Sequence, residues 1–182
     1  MRDFSLHILD IAENSIRAEA HRLEISIEID TKKDVLVLEI ADDGKGMDEQ
    51  TVNMVLDPFF TTKKTRRFGL GLPLLAQAAK MANGEFQIDS KPGKGTRVRA
   101  TFQASHIDTK PLGDIPQTLV TLIVGHPDVG FRYVHRVDGS EYSLDTEEIR
   151  EQLDGIPHNS PEVIETIRKN VEQGLDNLGR KR

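Results

Sequence analysis

The sequence contains no cysteine, which excludes disulfides, thiolate catalysis and cysteine-held metals. It lacks any apolar run near the roughly 18 residues that a membrane span needs. The N-terminus, MRDFSLHILDIAENS, interrupts its apolar residues with His7, Asp10 and Glu13, a poor pattern for a signal peptide. Positive charge is not in excess either. The formal net charge is -6, so the chain as a whole is not drawn to nucleic acid or acidic lipid. The Walker pattern GxxxxGK[ST] is missing, as is a full GxGxxG after a strand, which excludes a P-loop NTPase and a dinucleotide-binding Rossmann unit. There is no internal repeat. These absences lead to the expectation of a cytoplasmic protein with no membrane insertion and no nucleic-acid partner.

What is present is the material of a folded core. Hydrophobic residues make up 37% and charged residues 30% of 182, which rules out global disorder. At roughly 150 residues per domain, one domain or one plus a small companion is expected. Residues 5–20 place Ile8, Leu9, Ala12 and Ile16 on one side at helical spacing. In 23–29, Leu23, Ile25, Ile27 and Ile29 alternate with polar residues, the pattern of a half-buried strand. The run VLVLEIA at 35–41 reads as a more central strand. A short helix is expected at 48–56 with Asp48 as its cap. Residues 57–69 read as a loop, and 70–82 as a helix that tolerates Pro73 in its first turn and stops at Asn83-Gly84. Two strands, 85–89 and 96–103, follow around a Gly/Pro turn. The first 104 residues thus mix antiparallel strands with helices, an α+β pattern.

After Ser105 the pattern changes. Pro111, Gly113 and Pro116 mark a linker. Residues 117–124 are apolar and fit either helix or strand. A hairpin is expected around Asp138-Gly139, then helices near 146–153 and 161–178.

Three local patterns carry chemistry. His7, Asp10, Asn14 and Arg17 fall on one narrow face of the first helix. A polar stripe is ordinarily a solvated face, but an amide oxygen can ligate Mg²⁺, a carboxylate one turn earlier can orient a water, and a guanidinium can meet a phosphate. Asp42-Asp43-Gly44-Lys45-Gly46-Met47 follows a buried strand. An acid at a strand end can accept a purine amino group, and paired glycines let the backbone pass close to a flat ring; a plain glycine turn is the competing reading. Gly69-Leu70-Gly71-Leu72 opens a helix, where exposed N–H groups and the dipole favour anions. Lys63, Lys64, Arg66 and Arg67 concentrate positive charge just before it.

The order of these boxes is more telling than any one of them. An Asn-bearing helix, DxGxG, Asp57-Pro58-Phe59-Phe60-Thr61-Thr62-Lys63, GLGL and Gly93-Lys94-Gly95-Thr96 succeed one another. Over about residues 4–104 the sequence resembles the GHKL ATPase superfamily, its histidine-kinase branch in particular. The resemblance implies a two-layer α/β sandwich that binds ATP with Mg²⁺. It assigns Mg²⁺ to Asn14, the catalytic acid to Asp10, phosphate contact to Arg17 and the adenine amino group to Asp42. It lines the adenine pocket with Gly44, Gly46 and Met47. It makes Phe59, Phe60, Thr61, Thr62 and Lys63 the lid, sets Gly69, Leu70, Gly71 and Leu72 at the phosphates, and brings Thr96 to the adenine region. Positive charge in such a lid can neutralise a triphosphate. The family's GTGLGL has Arg67 in place of its first glycine here.

Residues 1–104 are therefore expected to form the ATP-binding domain and 105–182 a small mixed C-terminal extension. The family's phosphoacceptor domain does not precede residue 4, so the chain reads as a stand-alone module. Ser105-His106 with Pro111-Leu112 faintly resembles the kinase histidine box. His126, His135 and His158 read as surface or structural residues. The extension resembles no known domain; it is expected to pack on the ATPase sheet, to mediate a homodimer or to read nucleotide state. Three functions are compatible with the resemblance: a kinase transferring the γ-phosphate to a protein in signal transduction, a hydrolysing switch acting on a protein partner, or a non-catalytic nucleotide binder. Asp10 together with Asn14 favours the first two, because a pure binder needs no base.

Overall fold

The computed structural model describes residues 1–57, 71–152 and 160–179. Its elements are α1 (Phe4–Arg17), β1 (Arg22–Asp30), β2 (Val35–Asp42), α2 (Glu49–Met54), α3 (Gly71–Met81), β3 (Phe86–Ser90), β4 (Thr96–Gln103), α4 (Ile115–Gly125), β5 (Gly130–Val137), β6 (Ser140–Asp145), α5 (Thr146–Gln152) and α6 (Pro161–Gly179). The strands form one mixed sheet in the order β3-β4-β2-β1-β5-β6. All neighbouring pairs are antiparallel except β1 with β5.

Alternation decides which face is covered. Leu23, Ile25 and Ile27 of β1 are buried, as are Leu36, Leu38 and Ile40 of β2 and Val98, Ala100 and Phe102 of β4. Their neighbours Glu24, Glu28 and Arg97 are exposed, since successive side chains point to opposite faces. Helices α1, α3, α4 and α6 pack on the apolar side. The result is the expected two-layer α/β sandwich. Asp3 caps α1 by accepting the Leu6 N–H at 3.0 Å, and Asp48 caps α2 in the same way through Thr51. Both leave fewer orphan donors at a helix start.

The segment after residue 104 continues this sheet. Strand β5 lies parallel to β1 along its length, from Arg22↔Gly130 to Ile29↔Val137. Asp138 and Gly139 both have positive φ (49° and 83°) and turn β5 into β6, as Asp-Gly does in tight hairpins. Asp138 also accepts the Thr31 N–H and hydroxyl at 2.7 and 2.8 Å. Residues 117–124, ambiguous by pattern, are helical. Asp114 caps α4 through the Gln117 N–H, and Pro116 sits in its first turn, where a missing N–H costs nothing. Phe131, Tyr133 and Leu144 belong to the same core as Phe4 and Leu38. Among the described residues, no helix is long and apolar enough to cross a membrane.

Candidate functional site

The first site residues come from α1. Its apolar stripe faces the sheet, which turns Asp10, Asn14 and Arg17 toward the end of β2. His7 departs from the expected solvated stripe: it is 1% exposed. The cause is the chain that follows the sheet. Pro111 and Leu112 accept the N–H groups of Phe4 and Ser5 at 3.0 and 2.9 Å, which covers the start of α1. Buried beside the N-terminal amine, His7 has its pKa lowered to about 4, and Nδ1 has no hydrogen-bond partner.

Asp42 ends β2 and is held from three sides. Oδ2 accepts the Ser15 hydroxyl at 2.6 Å. Oδ1 accepts the N–H groups of Gly44 at 2.9 Å and Thr96 at 3.2 Å. An ionised carboxylate offers about four acceptor positions, so capacity remains for one donor from a ligand. Asp43, its neighbour, accepts the His21 and Arg22 N–H groups at 2.7 and 2.9 Å and so secures the start of β1.

The loop after Asp42 is pressed against the β3–β4 turn. Gly46 has φ +65°, and a Cβ there would lie 2.0 Å from the Lys91 carbonyl oxygen. A side chain is excluded twice over, by backbone conformation and by space. Met47 donates its N–H to Ser90 Oγ at 2.8 Å, and Ser90 Oγ lies 2.8 Å from Thr96 Oγ1. Gly71 begins α3 against α1. A Cβ on it would lie 1.9 Å from Asp10 Oδ2 and 3.6 Å from Asn14 Nδ2. The glycine therefore sets a helix N-terminus directly beside the acid and the amide.

Between these elements lies a cleft of about 590 Å³. Asn14, Arg17, Asp42, Gly46, Met47, Gly71, Leu72 and Thr96 line it, along with an apolar wall of Ile11, Ile40 and Val98. Such a space suits a drug-sized or nucleotide-sized ligand. Asp10 and Gly44 stand behind its surface, against Gly71 and Asp42 respectively. The expected lid residues Phe59, Phe60, Thr61, Thr62 and Lys63, and Gly69 and Leu70, lie outside the described residues.

Sequence reasoning passed over Ser15 and Ser90. Ser15 had a signal: it lies in line with Ile8, Ile11 and Ala12 on the apolar side of α1 and is 5% exposed. A hydroxyl in an apolar stripe requires a buried partner, and Asp42 is that partner. Ser90 had none, since a serine ending a strand is ordinary. His106, the residue of the faint histidine box, uses Nδ1 to accept the Asp108 N–H at 3.1 Å. The ring proton is then on Nε2, and neither nitrogen offers a free lone pair in this conformation. Ser105 is held by Asp34, which accepts its N–H at 2.8 Å and its hydroxyl at 2.7 Å. These bonds keep the Asp34 carboxyl below its ordinary pKa.

Residues 3–106 match the family model of histidine kinase-, DNA gyrase B- and HSP90-like ATPases. The chain belongs to this family. Relatives share its sequence in the same stretch. Sensor histidine kinase YxdK of Bacillus subtilis is 35% identical over 99 residues, covering 50% of this chain and 30% of that protein. Sensor protein kinase FleS of Pseudomonas aeruginosa is 36% identical over 110 residues, covering 60% of this chain and 27% of that protein. The chain thus spans about a third or less of the curated relatives it matches. A crystal structure of the N-terminal domain of a DNA repair protein superposes with a TM-score of 0.54 at 14% identity, over 80% of this chain and 53% of that one. At that identity the likeness is one of fold. It covers more of the chain than residues 3–106 can account for.

Proposed function

We propose that the chain binds Mg-ATP in this cleft and transfers the γ-phosphate to a protein in signal transduction. The ATPase domain it shares with sensor histidine kinases supports the class of reaction. The observation that carries the reading is the pinned Asp42 carboxylate at one end of the cleft and the Asp10–Asn14–Gly71 cluster at the other.

The donor set fits the groups proposed. Asp42 would accept the adenine amino group while Ile40, Val98 and Met47 flank the ring. Asn14 Oδ1 is a hard oxygen suited to Mg²⁺, which takes a few protein oxygens and leaves the rest of its shell to phosphates and water. Bound there, the ion would neutralise charge on the phosphates. The start of α3 at Gly71 offers backbone N–H groups and the positive end of a helix. Arg17 adds a movable cation at the same end. Asp10, one turn before Asn14, would take the proton from the attacking hydroxyl or imidazole. Thr96, Gly44 and Gly46 would keep the adenine end narrow. The lid role of Phe60, Thr61, Thr62 and Lys63 and the phosphate role of Gly69 and Leu70 stay part of the proposal on the resemblance alone.

A second reading, a hydrolysing switch, shares the apparatus and differs in which hydroxyl attacks. The continuity of the segment after residue 106 with the ATPase sheet favours it, because a partner-facing segment so joined would register the state of the cleft. Titration calorimetry with Mg-ATP, run beside γ-labelled ATP, separates the cases. Label transferred to protein supports the kinase. Free phosphate alone supports the switch. Absence of binding overturns both.

A further inference from the structure

Glu13 lies on α1 one turn before Arg17, and its two carboxylate oxygens meet different parts of the molecule. Oε2 is 3.5 Å from Arg17 Nη2. Oε1 is 2.9 Å from His126 Nε2. A carboxylate only accepts, so His126 Nε2 carries a proton. His126 caps the C-terminal end of α4, its own N–H bonded to the Leu122 carbonyl at 3.0 Å. It therefore stands at a fixed point in the segment beyond the family match. At the other end of the chain of contacts, Arg17 Nη1 donates to Asn14 Oδ1 at 3.4 Å.

That last contact places Arg17 on the amide oxygen offered above to Mg²⁺. A guanidinium and a divalent cation repel and cannot share one oxygen. Loading the cleft must move Arg17, and two anions then compete for it: the Glu13 carboxylate and the phosphates. How strongly Glu13 competes depends on how much of its charge is already taken, and His126 takes part of it.

We propose that Glu13 restrains Arg17 from the phosphates and that His126 relaxes this restraint, so that the segment after residue 106 acts on nucleotide affinity through α1. Both are positioning residues, and the inference rests on the nucleotide reading above. It goes further in joining the C-terminal segment to the site by a named chain of groups, His126–Glu13–Arg17–Asn14.

The test uses the full chain, titration calorimetry, and two probes: Mg²⁺ with ADP, and Mg²⁺ with the non-hydrolysable β,γ-imido analogue of ATP. Glu13→Gln is expected to tighten binding of the analogue by about threefold, the scale of a partly exposed ion pair, and of ADP by less. His126→Ala is expected to weaken the analogue by about twofold, and to change nothing when Glu13→Gln is already present. His126→Gln keeps a donor toward Glu13 and is expected to restore the starting affinity. Opposite signs for the two single variants are the signature, because a merely structural role would weaken binding in both. Weakening by both variants overturns the relay, as does a His126→Ala effect that survives in Glu13→Gln. Binding by the unaltered chain that Glu13→Gln leaves unmoved sinks the relay alone. If the unaltered chain binds neither probe, the nucleotide reading falls and takes the relay with it.

Discussion

Residues 3–106 and the segment after them build one sheet, but they use polar groups in opposite ways. Around the cleft, Ser15, Asp42, Ser90 and Thr96 are tied to one another and to backbone N–H groups, and the open side of Asp42 stays available. Glycines remove side chains where the backbone must come close, as Gly71 does at Asp10. Under α6 the arrangement closes. Tyr133 and His135 are buried and bonded to each other at 2.7 Å. Gly174 lets α6 press on the Tyr142 ring, which a Cβ would meet at 2.1 Å. One half holds polar groups ready for a ligand, and the other half satisfies them internally. A substitution in the first should change binding or turnover and spare stability; one in the second should do the reverse.

The largest effect expected is on turnover. Asp10→Asn should leave nucleotide affinity near its starting value and slow phosphoryl release or transfer by about 10²- to 10⁴-fold, the usual contribution of a positioned base. Single-turnover kinetics with γ-labelled ATP would measure it, and an unchanged rate removes Asp10 from the chemistry. Next comes Asp42→Asn. It exchanges an acceptor-only group for one that turns a donor toward Ser15 or the ligand, and about 100-fold weaker binding is expected. Near-normal affinity by calorimetry would refute the pocket. In both variants the melting temperature should move little, which is the half of the comparison they probe.

The sequence was informative where chemistry demands particular residue types in a particular order. Asp42, Gly44, Gly46 and Thr96 were legible because a carboxylate, two close backbone passes and a strand start recur at set spacings. The two layers were legible because Leu23, Ile25 and Ile27 alternate and Ile8, Ala12 and Ile16 do not. Contacts between distant segments were not. Nothing in the periodicity of Gly130–Val137 says that it lies parallel to β1, since the pairing partner of a strand is fixed by topology and not by its own pattern. The burial of His7 depends on Pro111 and Leu112 crossing the start of α1, a contact across a hundred residues. Residues 117–124 were ambiguous because a short apolar run has no period to read. The extension 105–182 could be bounded by composition, but its sharing of the sheet and the core could not.

Protons offer a test that reaches both halves. His7 and His135 have pKa values lowered from 6.5 to about 4 by burial. Between those values the unfolded chain binds more protons than the folded one, so stability falls as pH drops through that range and is complete above about 6.5. Each histidine can remove up to about 3 kcal/mol by pH 4, at roughly 1.4 kcal/mol per pH unit. Urea titrations between pH 6.5 and 5 isolate the effect from carboxylates, which titrate lower. Two histidines should give a slope near two protons, and His7→Phe should halve it. A flat profile over that window would mean that neither ring is as enclosed as the packing shows.

The smallest effect belongs to Tyr133→Phe, and it bears most directly on the second half. The change deletes a hydroxyl and leaves His135 Nδ1 buried without the partner it has at 2.7 Å. Volume hardly changes, so the cost is that of one unsatisfied buried group, about 1–2 kcal/mol. A lower urea midpoint with an unchanged slope would register it. Nucleotide affinity should stay constant, because β5 reaches the cleft only through β1 and none of the cleft's lining residues belongs to it. If affinity shifts while stability holds, the internal pair is coupled to the cleft, and the division of labour between the two halves is wrong.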